Sequence, residues 1–168
     1  LSAVLGPYPR PGKLKEESNR FGCYDFVAPN LVRGTLERGL ACRDRLALPF
    51  TRATFMMFLV AEVHPFDDGN GRLARLVLNA ELSAAGEHRI LVPIITRNDY
   101  LQGLRRLSRD GDPDLLLRVL ATNWSWSSQG DYSSLAAARD MLEQTNALVD
   151  AADAERVPAD LRASGLVP

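Results

Sequence analysis

The sequence predicts an all-α domain of about six helices with a small β-hairpin flap. Three observations lead there. Apolar residues recur at helical spacing through most of the chain after Leu31. One of those stretches holds an unbroken apolar run, Phe55 to Ala61, too long for a typical strand face. Only Phe21 to Val27 shows the partial alternation of a strand. The 168 residues are 46% hydrophobic and 24% charged, which suits one globular domain and argues against disorder.

The elements follow in order. Residues 1–20 carry Pro7, Pro9, Pro11 and Gly12, then a charged run from Lys13 to Glu17, and read as an extended segment outside the core. Leu1 in place of Met points to a removed upstream region. Phe21, Tyr24 and Phe26 mark a short strand or hairpin that Pro29 stops. Leu31, Val32, Leu36 and Leu40 form a helical stripe despite Gly34 and Gly39. Phe50 to Val63 is a helix buried on most sides and too short to span a bilayer. Asp67 to Gly71 is a turn, and Arg72 to Ala85 is helical until Gly86 stops it. Asn98 is expected to cap a helix carrying Leu101, Leu104 and Leu107. Asp112-Pro113 opens the next, with Leu115, Leu116, Val119 and Leu120 inside. Leu135, Ala138, Leu142, Thr145 and Val149 suggest a last helix. The folded domain is thus expected over 21–150, with 151–168 a tail.

Charge and composition exclude several functions. Lys+Arg is 20 and Asp+Glu is 21, so no basic excess points to nucleic acid. No apolar run reaches the length of a membrane helix, and no signal peptide is visible, so a cytoplasmic protein is expected, with effector delivery into a host as the alternative, since that needs no conventional signal peptide. Cys23 and Cys42 lack zinc-site spacing and are too few for a disulfide framework. Eighteen of the 20 basic residues are Arg, which hints at a GC-rich bacterial source.

The chemistry lies in His64-Pro65-Phe66-Asp67-Asp68-Gly69-Asn70-Gly71-Arg72-Leu73-Ala74-Arg75. A buried helix ends near His64 and a Gly-rich turn leads into a second helix. The opening N–H groups of a helix lack internal partners and carry partial positive charge, so this junction suits an anion. Arg72 and Arg75 are three apart and reach from one face, which suits a polyphosphate. Asp68 beside that phosphate implies a bridging Mg²⁺. His64, at the other lip, is placed to act as a general base for an incoming hydroxyl. Taken singly, each feature has a plainer reading as a cap, a solvated charge or a turn. Their joint occurrence predicts attack on a nucleotide phosphate.

The segment resembles the Fic family motif, His-Pro-Phe-x-(Asp/Glu)-Gly-Asn-Gly-Arg-x-x-Arg. All nine specified positions are present, and chance would supply them with a probability on the order of 10⁻¹² per start position. The resemblance covers about residues 20–125. It implies a helical fold and transfer of AMP from ATP, with Mg²⁺, to a Tyr, Thr or Ser hydroxyl of a target protein. His64 would be the base, Phe66 the core anchor of the loop and Asp68 the metal ligand. Gly69, Asn70 and Gly71 would cradle phosphate, and Arg72 and Arg75 would hold its β/γ end. Asn79 and Tyr100 would line the adenine side. Asp67 stands at the variable position and has no implied role. Tyr24, Asp25, Phe26 and Val27 sit where the family has a flap that docks the target by strand pairing, an established recognition mode. A plain core role for Tyr24 and Phe26 is equally open.

The family's inhibitory pattern, Ser/Thr-x-x-x-Glu-Gly/Asn, is not found. Glu87 follows Ser83 at the right spacing but precedes His88 and continues the motif helix. An inhibitor is therefore expected to be missing, upstream of Leu1, or supplied by a partner protein. Transfer of UMP or phosphocholine on the same scaffold is the nearest rival, and a silent nucleotide- or protein-binding module is another. The kinase-like Doc variant, with Ala and Lys in the loop, does not match.

Overall fold

The computed structural model describes residue 10, residues 12–22 and residues 24–149. Pro7, Pro9, Pro11, Cys23 and the 151–168 tail of the sequence expectations lie outside them. The described elements are strands β1 (Arg20–Phe21) and β2 (Tyr24–Asp25), a 3₁₀ turn over Pro29–Leu31, and six helices. These are α1 (Val32–Arg43), α2 (Pro49–Val63), α3 (Asn70–Ala84), α4 (Ile94–Asp110), α5 (Asp114–Gln129) and α6 (Leu135–Gln144). The all-helical class with a small hairpin is the observed one.

The chain divides into two compact units, 1–87 and 88–168. In the first, α2 packs on α3 and on α1. The apolar run of α2 explains this, because Ala53, Met56, Met57, Val60 and Val63 are all buried. Ala74, Leu78 and Leu82 meet them from α3 at four-residue spacing. Polar pairing ties the same helices together. Arg43 of α1 and Arg52 of α2 both reach Glu81 of α3, at 2.9–3.0 Å. That carboxylate, with Asp44, holds the Arg43 proton more tightly than usual.

α3 begins two residues before the expected Arg72. Gly69 adopts the left-handed conformation at φ 80°, and its carbonyl accepts the Leu73 N–H at 2.9 Å. Its far end closes as expected. Gly86 is left-handed, and the N–H groups of Gly86 and Glu87 return to Ser83 and Leu82.

In the second unit, α4 and α5 pack together. Leu116, Leu120, Asn123 and Trp126 form the buried stripe of α5. Trp126 also joins Ile95, Met141 and Ala147 in a cluster that secures α6. Asp112-Pro113 leads into α5 as expected, with Asp112 Oδ1 accepting the Asp114 N–H at 3.0 Å. The Asn98 cap is corrected. α4 starts five residues earlier, after Pro93, so Asn98 stands inside the helix. Pro93 sets the extended approach and Ile95 and Thr96 are buried, so packing overrides the capping preference of Asn98. α6 stops at Gln144, short of Val149. Asn123, the first residue of an Asn-x-Ser sequon, is fully buried and donates to Thr96 Oγ1, so it is closed to glycosylation.

Gly103 marks the close approach of α4 and α5. A Cβ there would lie 2.8 Å from the Leu116 N and Cα atoms. Those are backbone atoms and cannot rotate away. Gly103→Ala is expected to cost about 1–3 kcal/mol by overpacking, which outweighs the helix-propensity gain of about 1 kcal/mol. Chemical denaturation of the variant should show a lowered midpoint.

Candidate active site

His64 ends α2 in the left-handed conformation, at φ 50° and ψ 59°. Glycine usually occupies such a position, and a side chain there costs roughly 1–2 kcal/mol. A non-glycine residue held there is a pointer to function. Its Nδ1 lies 3.0 Å from the Ala61 carbonyl oxygen. A carbonyl only accepts, so Nδ1 carries the proton and the neutral ring presents Nε2 as an acceptor. One face of the ring is covered by Phe26, with centroids 3.7 Å apart and planes 14° apart.

Burial lowers the His64 pKa below its ordinary 6.5, and the charge of Lys15 adds to this. The Ala61 bond, Asp68 and Glu62 pull the other way without reversing it. The ring is therefore neutral, and able to accept a proton, at neutral pH. The base form is lost only as pH falls through a pKa below 6.5. The predicted rate profile is flat through neutrality with its acid limb below pH 6.5, which stopped-time assays across pH will check.

The loop after His64 is held largely through its backbone. Asn70 is 1% exposed, and its side chain bonds both ways to Phe66: the Phe66 N–H donates to Oδ1 at 2.9 Å, and Nδ2 donates to the Phe66 carbonyl at 2.7 Å. The Asn70 side chain thus clamps the loop, which leaves its backbone N–H, at the start of α3, for the expected phosphate cradle. Phe66 itself is half-buried, so the loop is anchored by these backbone bonds more than by a core ring.

A second clamp comes from residues 10–19, expected outside the core. Lys15 is 3% exposed, which corrects that reading. Its Nζ donates to the Val63 carbonyl and to Asn19 Oδ1, and its N–H donates to the Pro65 carbonyl at 2.8 Å. Asn19 Nδ2 donates to the Phe66 carbonyl at 3.0 Å. Three carbonyls around His64 are thus satisfied by one short segment. Only two of the chain's 20 basic residues are Lys, and a compact ammonium suits a buried carbonyl cap better than a guanidinium. Asp67, given no role from sequence, accepts a bidentate bond from Arg10 at 2.8 and 3.0 Å. That bond holds the Asp67 pKa low. The only sequence signal for this clamp is a polar cluster without periodicity.

On α3, Arg72 lies 3.7 Å from Asp68 as a loose, exposed ion pair. Arg75 folds back toward the loop, its Nη1 3.8 Å from where a Gly71 Cβ would sit. No ion pair involving Arg75 occurs among the described residues. Asn79 follows on the same helix face, half-buried. Tyr100 lies on α4 and is 2% exposed.

The hairpin exists but is shorter than expected. Arg20 pairs with Asp25 and Phe21 with Tyr24, so Phe26 and Val27 lie beyond the ladder. Asp25 is engaged by Arg20 at 2.6 Å. The Tyr24 hydroxyl donates to Glu62.

Among the described residues no cluster of three metal-ligating side chains occurs. Mg²⁺ does not require one, because one carboxylate with substrate phosphates commonly suffices. Asp68 is well exposed beside the start of α3 and fits that part.

A model of the Fic/DOC family matches residues 2–82, which include the whole loop. The chain belongs to the Fic/DOC family. It is 36% identical over 122 residues to protein adenylyltransferase fic-1 of Caenorhabditis briggsae, covering 70% of this chain and 24% of that protein. It is similarly 36% identical over 81 residues to the Caenorhabditis elegans protein of the same name. The chain thus spans about a quarter or less of the length of these curated relatives. A Fic-domain-containing signalling protein from Bacteroides thetaiotaomicron shares the fold, with a TM-score of 0.59 and 18% identity over 91% of this chain and 59% of that one. Among the described residues, no helix is long and apolar enough to cross a membrane.

Proposed function

We propose that this Fic-family chain transfers AMP from ATP to a Tyr, Thr or Ser hydroxyl of a target protein. The observation that carries the reading is the His64 tautomer: Nδ1 is committed to Ala61, which leaves Nε2 to take a proton at the lip of an anion-binding turn. Nε2 removes the hydroxyl proton as the oxygen attacks the α-phosphorus. The bond from that phosphorus to the bridging oxygen of the β-phosphate breaks, and pyrophosphate leaves with the electron pair. The opening N–H groups of α3, with Arg72 and Arg75, neutralise the charge that builds on the leaving group. Asp68 would hold Mg²⁺, which supplies further charge neutralisation when bound. The relatives' name, protein adenylyltransferase, supports this choice of transferred group. The proposed setting is the cytoplasm, in keeping with the exposed free thiol of Cys42.

Labelled ATP tests the reading. Label on the α-phosphate is expected to appear on protein, and label on the γ-phosphate to appear only in pyrophosphate. Protein labelled from the γ-phosphate would mean phosphate transfer and would overturn it.

A further inference from the structure

We infer that Phe26 is a positioning residue that fixes the plane of the His64 imidazole and links it to the hairpin. The inference rests on the reading of His64 as the base. Sequence reasoning placed Phe26 among residues that dock a target, yet its ring lies parallel to His64 with 3.7 Å between centroids. That leaves the Phe26 face engaged with the imidazole instead of open to an incoming chain.

The ring is itself held from its other sides. Tyr24 meets it edge to face, with centroids 5.4 Å apart and planes 82° apart. Tyr24 is fastened in turn to Glu62, two residues before His64 on α2. The Phe26 N–H donates to the Asn19 carbonyl at 3.2 Å. The Asn19 side chain bonds the Phe66 carbonyl, two residues after His64. The hairpin is therefore tied to the chain on both sides of His64, and Phe26 fills the gap between.

The Nδ1 bond to Ala61 fixes one point of the imidazole but leaves the ring able to swing about it. The stack removes that freedom. General-base catalysis depends on the direction of the Nε2 lone pair, and a small misplacement of a reacting group can cost about 100-fold in rate. The charged groups near the ring, Lys15, Glu62 and Asp68, act on its proton affinity. None of them is a flat surface that could set its plane.

The test uses the whole chain with Phe26→Leu and Phe26→Tyr. The chain has two histidines, so proton NMR gives two imidazole sets, and His64→Ala assigns them. In the wild type the His64 ring protons should be displaced upfield by the aromatic current of Phe26. Phe26→Leu keeps apolar bulk and should lose that displacement, while Phe26→Tyr should keep it. In the transfer assay Phe26→Leu should lower kcat by about 10- to 100-fold with KM for ATP unchanged, and Phe26→Tyr should restore it. Equal imidazole shifts in wild type and Phe26→Leu would mean that the two rings do not stack, a purely structural role would leave kcat unaltered, and either result overturns the inference. The NMR readout needs no turnover, so it decides the stack even where AMP transfer itself fails.

Discussion

His64→Ala is expected to lower AMP transfer by about 10²- to 10⁴-fold, the usual worth of a general base. ATP affinity, measured by calorimetry, should stay at the wild-type value. The separation follows from placement. The groups assigned to phosphate lie on the Gly69 turn and on α3, whereas His64 closes α2 on the other side of the loop. Its side chain contacts Phe26 and Ala61. A nucleotide-binding role for His64 would instead show as weaker ATP binding with the rate at saturation preserved.

Asn70→Ala should fail differently. It removes a side chain that bonds both backbone groups of Phe66; the carbonyl keeps Asn19, but the N–H loses its partner. Leaving such a group unpaired costs about 1–3 kcal/mol, so thermal melting should fall. Loss of the clamp also frees the turn that presents the N–H groups of α3. Stability, ATP binding and transfer should therefore fall together, unlike in His64→Ala. Asn70→Asp should rescue only in part, because a carboxylate still accepts the Phe66 N–H but cannot donate to the Phe66 carbonyl and repels that oxygen. Wild-type stability in Asn70→Ala would show that the clamp contributes nothing.

Much of the fold was legible because the signals were local and strong. The unbroken apolar run of α2 could only be a buried helix. Gly86 and Asp112-Pro113 closed and opened helices where turn chemistry placed them. The loop was legible because its residue types and spacing are so restrictive. What escaped was carried by tertiary bonds. Lys15 and Asn19 reach carbonyls 47 or 48 positions away, and a polar side chain that satisfies distant backbone leaves no periodic trace. Asn98 misled because a good capping residue also sits comfortably on an exposed helix face. Phe26 was recognised as an aromatic of the hairpin, but which ring it meets depends on how the hairpin closes over His64.

The most direct measurement is the intact mass of the purified chain after incubation with ATP and Mg²⁺ and a hydroxyl-bearing acceptor protein, with His64→Ala in parallel. AMP transfer with His64 as base predicts a mass increase equal to one AMP moiety, on the chain itself or on the acceptor, with wild type only. An equal increase with His64→Ala would contradict it.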